Sequence, residues 1–198
     1  MDETTAHFKG FFNDMKAIMN QLDLPVLEEQ VNALLALRER KGRLFVLGVG
    51  GSAANASHAV NDFRKLCHIE AYTPTDNVAE LTARINDEGW DSCFVEWLKI
   101  SHLTRKDMLL VLSVGGGNAA KQVSMNIVKA LQHAKEIKTL ILGIVGRDGG
   151  ETKKLGDQVL VIPALHADWV TPCTEAFQAV IWHALVSHPR LQAQKTKW

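Results

Sequence analysis

The chain has 198 residues, 46% of them hydrophobic, and its 22 basic side chains balance 22 acidic ones. That length suits one sizeable core, and the balanced charge excludes the broad electrostatic footprint of a protein working mainly on nucleic acid or an anionic membrane, so any phosphate must be held by local geometry. The absence of a long uninterrupted apolar run, the acidic opening Met1–Thr5, and three widely separated cysteines (Cys67, Cys93, Cys173) point to the cytoplasm and to reduced thiols rather than to a membrane span, a signal peptide or a disulfide framework.

Residues 5–40 carry apolar side chains at helical spacing, Phe8, Phe11, Phe12, Met15 and Met19 first, then Val26, Leu27, Val31, Leu34, Leu35 and Leu37. Two helices are expected, broken at Leu24-Pro25, since proline disfavours helix in the residue before it and suits a new first turn. Leu44–Leu47 reads as a buried strand running into the turn Gly48-Val49-Gly50-Gly51-Ser52. A helix over Ser52–Leu66, a short strand at His68–Tyr72 and a helix over Asn77–Asp87 follow. Asp107–Ser113 is a strongly apolar strand ending in Gly115-Gly116-Gly117, with a long helical stretch through Ala134 after it. Lys138–Val145 and Gln158–Pro163 are further strands, and a helix is expected over Thr171–Ser187. Strands alternating with helices in this way argue for an α/β fold with a doubly wound parallel sheet. We expect a single domain over 1–198, with amino-terminal helices over 1–41 and an α/β body over 42–198.

A glycine-rich turn between a strand and a helix presents backbone N–H groups beside the positive end of the helix dipole, which makes an anion site without net basic charge. Two such turns occur, after residues 47 and 113, and Ser52 and Ser113 stand where a hydroxyl caps a helix or closes on a phosphate oxygen. Neither turn is GxGxxG with a following acidic residue at the right distance, and neither is GxxxxGK[ST], so dinucleotide and P-loop readings lose ground. His58 and Asp62 lie four apart on one helix and share a face, a spacing that suits two ligands of one metal ion and equally a plain surface pair. Trp90, Trp97 and Trp182 read as core or subunit-contact residues. The apolar faces of the first two helices point to oligomerisation, since a short helical arm needs a body or a neighbour to pack on.

The string from Gly48 to His58 resembles the opening loop and helix of the bacterial phosphoheptose isomerase family, whose domain is of the sugar-isomerase (SIS) type. The resemblance continues in order through Thr75-Asp76, Leu81-Thr82-Ala83, Asn86-Asp87-Glu88-Gly89, the loop at Ser113, Gly146-Arg147-Asp148-Gly149-Gly150 and a histidine-bearing last helix. It implies a five-stranded parallel sheet flanked by helices, a homotetramer built partly through the amino-terminal helices, and interconversion of sedoheptulose 7-phosphate with a heptose 7-phosphate. It further implies phosphate or sugar contacts from Gly50, Gly51, Ser52, Asp76, Ser113, Gly115, Gly116, Gly117 and Asn118. Asp62 takes the place of the family's catalytic glutamate, and His183 that of its histidine. Zinc, where family members carry it, would fall to His58, Asp62, Glu175 and His183, with the register of the last helix set to keep His183 rather than Trp182 at the catalytic position.

The sequence also departs from the family. Val49 replaces an asparagine in the first loop, the second loop reads Ser113-Val114-Gly115-Gly116-Gly117-Asn118 and has lost most of its hydroxyls, and Asp62 is one methylene shorter than glutamate. Aldose–ketose isomerisation needs a base beside the carbonyl and an acid at its oxygen, for which Asp62 and His183 are the candidates. The altered loops leave a second expectation open: a non-catalytic sugar-phosphate-binding protein, or a regulatory one of the replication-initiator-associating kind.

Overall fold

A computed structural model describes residues 2–195. Five strands form one parallel sheet: β1 (Leu44–Leu47), β2 (Ala71–Tyr72), β3 (Met108–Ser113), β4 (Leu140–Val145) and β5 (Gln158–Val161), in the order β2-β1-β3-β4-β5. The register pairs Leu44 with Met108, Met108 with Leu140 and Leu142 with Gln158. Side chains alternate across the sheet, and both faces are covered. Leu44, Val46, Leu110 and Leu142 pack on one face with helices α1 (Glu3–Met19), α2 (Leu24–Glu39), α3 (Gly51–Cys67) and α8 (Val170–Val186). Phe45, Leu47, Leu109 and Val111 pack on the other with α5 (Cys93–Ile100) and α6 (Met125–Glu136), while Leu81 and Ile85 of α4 (Val78–Glu88) close its edge. This is the doubly wound parallel sheet expected.

Several local details differ from the sequence reading. The break between the first helices lies at Asn20–Asp23, and Leu24-Pro25 opens α2, because proline fits a first turn whose N–H groups have no partner anyway. Helix α5 was not expected, since its eight residues span only about two turns, too few for a period to stand out. Helix α6 begins only at Met125: an irregular stretch, closed by a bridge between Asn118 and Val123, separates it from β3. A short helix α7 (Gly150–Leu155) follows the glycines after β4.

The amino-terminal helices are less of an arm than expected. Val31, Leu34 and Leu37 of α2 are part of the main core, and the buried Gln30 amide donates to the carbonyls of Gly143 and Gln158, both at 3.0 Å. Helix α1 buries Ile18 and packs Phe11 on Trp169, but leaves Phe8, Phe12 and Met19 each more than half exposed.

Candidate active site

The strand order reverses between β1 and β3, so the loops leaving their carboxyl ends diverge and open a crevice, the usual ligand position in open α/β sheets. A cavity of about 690 Å³ lies there. Ser52, Ser113, Gly115, Gly117 and Asn118 line it, as does Val49. Lys121, Ser124, Arg147, Asp148 and Thr171 also line it, a grouping that sequence reading did not assemble, although Arg147 and Asp148 stood inside a quoted motif. Two of these are cations against one carboxylate, and Asp148 already accepts from the Gly150 amide at 3.1 Å.

Much of the loop chemistry is internal. The Ser113 hydroxyl accepts from the Gly116 amide at 3.0 Å, and the buried Ser52 hydroxyl donates to Gln178 at 2.9 Å. The Gly116 carbonyl accepts from Thr152 N at 2.9 Å and Thr152 Oγ1 at 2.8 Å, so it caps the start of α7. Gly116 has a left-handed φ of 67°, and a Cβ there would overlap the Gly149 carbonyl. Its place in the fold is to let two loops touch. Gly50, Gly51, Gly116 and Asp76 are not in the cavity lining, and Asp76 accepts from the Ser57 hydroxyl on the exposed flank of α3.

Farther along α3, three side chains meet. Ligand atoms of His58, Asp62 and His183 all lie within 4.8 Å of one another. His58 Nε2 stands 3.8 Å from Asp62 Oδ2, and the His58 and His183 rings are edge to face with centroids 5.3 Å apart. Asn61 Nδ2 donates to Asp62 Oδ1 at 2.8 Å, which leaves Oδ2 facing the histidines. The 2.8 Å contact of His183 Nδ1 with the Ala179 carbonyl selects the tautomer protonated there and leaves Nε2 as the free donor atom. Asp62 is buried while both histidines are exposed, so the group opens to solvent on one side. The neighbouring Trp182 is fully buried, stacks on His183 and meets His58 edge to face, so it braces the cluster while His183 supplies the polar atoms.

Glu175 stands apart from this group. Eight residues of straight helix separate it from His183, a rise of about 12 Å, and its carboxylate lies instead against Gly51. The polar side chain of α8 nearer the middle is Gln178, buried, accepting from Ser52 and from Asn55 Nδ2 at 3.2 Å. It ties the first loop to the last helix. A single glutamine among the apolar residues of the last helix was the one signal for it in the sequence.

The SIS domain family model matches residues 10–146. The phosphoheptose isomerase of Pelobacter propionicus is 35% identical over 150 residues, which cover 72% of this chain and 75% of that one. The chain belongs to the phosphoheptose isomerase family. The Helicobacter pylori phosphoheptose isomerase is 29% identical over 163 residues, 79% of this chain and 81% of its own. The solved phosphoheptose isomerase of Neisseria gonorrhoeae shares the fold, with a TM-score of 0.77 at 23% identity over 92% of this chain and 94% of that one.

Proposed function

We propose that this family member is an aldose–ketose isomerase of a phosphorylated sugar, with a heptose 7-phosphate as its substrate, a zinc ion at its centre and a homotetrameric assembly in the cytoplasm. The observation that carries the reading is the meeting of a histidine and a buried carboxylate of α3, the helix that starts at the crevice loop, with a histidine of α8. Ser52 and His58 are six residues apart on α3, about 9 Å along the axis, and the side chains of a helix lean back toward its start. That span suits a long carbon chain with its phosphate in the crevice and its carbonyl beside the histidines.

In this scheme Ser52, Ser113, the Gly115 and Gly117 backbone, Asn118, Lys121 and Arg147 hold the phosphate. In the centre without an ion, Asp62 Oδ2 takes the proton from the carbon beside the carbonyl, and His183, carrying a solvent-derived proton on Nε2 besides the one on Nδ1, gives it to the carbonyl oxygen; the same atoms would be ligands wherever zinc is held. Two imidazoles and one carboxylate form a donor set that zinc accepts with a position left open, and the hydrogen bonds from Asn61 and to Ala179 are the outer partners such ligands use. When bound, the ion would polarise the carbonyl. The half-exposed Phe8, Phe12 and Met19 of α1 support the tetramer, and three free, buried cysteines agree with a reducing compartment. Among the described residues no helix is long and apolar enough to cross a membrane. Relatives named as isomerases favour this reading over a non-catalytic regulatory role.

The test is turnover of sedoheptulose 7-phosphate, followed by solvent deuterium entering the carbon beside the carbonyl. Wild type is expected to exchange and isomerise, with Asp62→Asn and His183→Ala reduced at least a hundredfold while folded. Absence of exchange across heptose, hexose and pentose phosphates in zinc-replete protein would refute the proposal.

A further inference from the structure

At the opposite end of the sheet, around the amino-terminal ends of β3, β4 and β5, lies a second cavity of about 560 Å³. Its charged lining is Arg40, Arg105, Lys106, Lys135, Lys138 and Asp157. Five cations thus face one carboxylate, in a chain whose charges balance overall. Arg40, Lys135 and Lys138 stand at the carboxyl ends of α2 and α6, where the helix dipole favours a cation. The dipole does not account for Arg105 and Lys106, which belong to the loop before β3, beyond the last turn of α5.

The single carboxylate is already engaged. Asp157 accepts from the Ile141 amide at 2.9 Å and pairs with Lys135 Nζ at 3.2 Å. Among the described residues no ion pair involves Arg40, Arg105, Lys106 or Lys138. The frame that brings them together is fixed by backbone contacts. Arg40 Nε donates to the Lys106 carbonyl at 2.7 Å, the Thr139 hydroxyl donates to the Thr104 carbonyl at 2.9 Å, and Gly42 lies so close to Lys106 that a Cβ there would overlap its carbonyl. Cations held together with so little compensation repel one another, and a concentrated anion relieves that repulsion.

We propose that this cavity binds a small polyphosphate anion, of the pyrophosphate, triphosphate or nucleoside polyphosphate class, at a site distinct from the sugar-phosphate crevice. Its volume falls in the range of small-molecule pockets, and arginine with lysine is the usual pair for phosphate oxygens. Charge density decides the class. An extended acidic peptide carries one charge per residue, about 3.5 Å apart, and is too diffuse for a single concavity, whereas linked phosphates carry several charges on adjacent atoms.

The experiment is calorimetric titration of the full chain with inorganic triphosphate, ATP, inorganic phosphate and deca-aspartate. Triphosphate is expected to bind once per chain, and at least tenfold more weakly in Arg105→Ala/Lys106→Ala. Two controls are expected to stay within twofold of wild type: Lys99→Ala/Lys154→Ala, which removes the same charge elsewhere, and Lys121→Ala/Arg147→Ala, which strips the sugar-phosphate crevice. ATP binding more tightly than triphosphate identifies a nucleotide as the source, and equal binding an inorganic polyphosphate. No saturable triphosphate binding, equal loss in either control, or deca-aspartate binding as tightly as triphosphate would each overturn the proposal. Circular dichroism of every variant separates loss of the site from loss of fold.

Discussion

The Glu175 carboxylate lies against Gly51, the first residue of α3, so closely that a Cβ on the glycine would stand 2.6 Å from Glu175 Cδ. A carboxylate at a helix start is favoured by the dipole, and the same place attracts a phosphate. Glu175 therefore steadies α3 in the free protein and opposes a dianion approaching the first loop. Glu175→Gln is expected to lower KM for the sugar phosphate roughly fivefold, which corresponds to about 1 kcal/mol, and to leave zinc per chain unchanged. Steady-state kinetics with metal analysis checks both, and loss of zinc would return Glu175 to the ligand set.

The cluster at His58 offers a sharper test through Asn61, a residue outside the proposed ligand set. Asn61 fixes Asp62 by its 2.8 Å hydrogen bond, so Asn61→Ala is expected to weaken zinc binding about tenfold in a chelator competition, with His58→Ala abolishing stoichiometric zinc. Equal zinc affinity in wild type and Asn61→Ala would show that Asp62 needs no such support.

The sheet and the first loop were legible because their signals are local: Leu44–Leu47 is an unbroken apolar run, and the glycines follow it directly. His58 and Asp62 were legible as a pair because helical spacing alone puts them on one face. Lys121 and Arg147 were not assembled into the site because they reach the crevice from two different loops, and only the strand order brings those loops together. Glu175 entered the ligand set through the resemblance alone, and the eight residues of α8 between it and His183, a rise of about 12 Å, carry its carboxylate to Gly51 instead. Helix α5 escaped notice for a different reason: at eight residues it offers about two turns, with one polar pair, Glu96 and Lys99, to mark its period.

Arg43 and Asp107 predict the acid limb of stability. Burial pushes the Asp107 carboxyl up, but donors from the Arg43 side chain, the Arg43 and Thr104 amides and the Thr104 hydroxyl pull it down further, leaving it below its ordinary value. A carboxyl more acidic in the folded chain than in the unfolded one stabilises fully above about pH 4 and loses that contribution as pH falls through its lower folded value. Asp107→Asn is expected to cost about 1–3 kcal/mol near neutral pH in urea titrations, and the difference from wild type should shrink toward pH 2. A difference independent of pH would assign the loss to packing.

The outer face of α1 bears on assembly. Phe8 and Phe12 are 54% and 57% exposed and lie one turn apart, so they form one apolar stripe. For the proposed tetramer, Phe8→Ser/Phe12→Ser is expected to shift the sedimenting species to dimer or monomer without loss of helix content. An unchanged tetramer would place the contact on another surface.

Gly116 joins fold to site. Its φ of 67° is the left-handed region, its carbonyl caps α7, and any Cβ would overlap the Gly149 carbonyl, so neither loop can keep its position once the glycine is replaced. Gly116→Ala is expected to cost about 2–4 kcal/mol, combining left-handed strain with the displaced loop. Because Arg147 belongs to the loop that must move and Ser113 holds the Gly116 amide, the same change should raise KM at least tenfold while zinc content stays at the wild-type level. Zinc is the discriminating readout: the proposed ligands lie farther along α3 and on α8, so a variant that loses zinc together with phosphate affinity has suffered general unfolding, and one that loses phosphate affinity alone has lost the contact between the two loops.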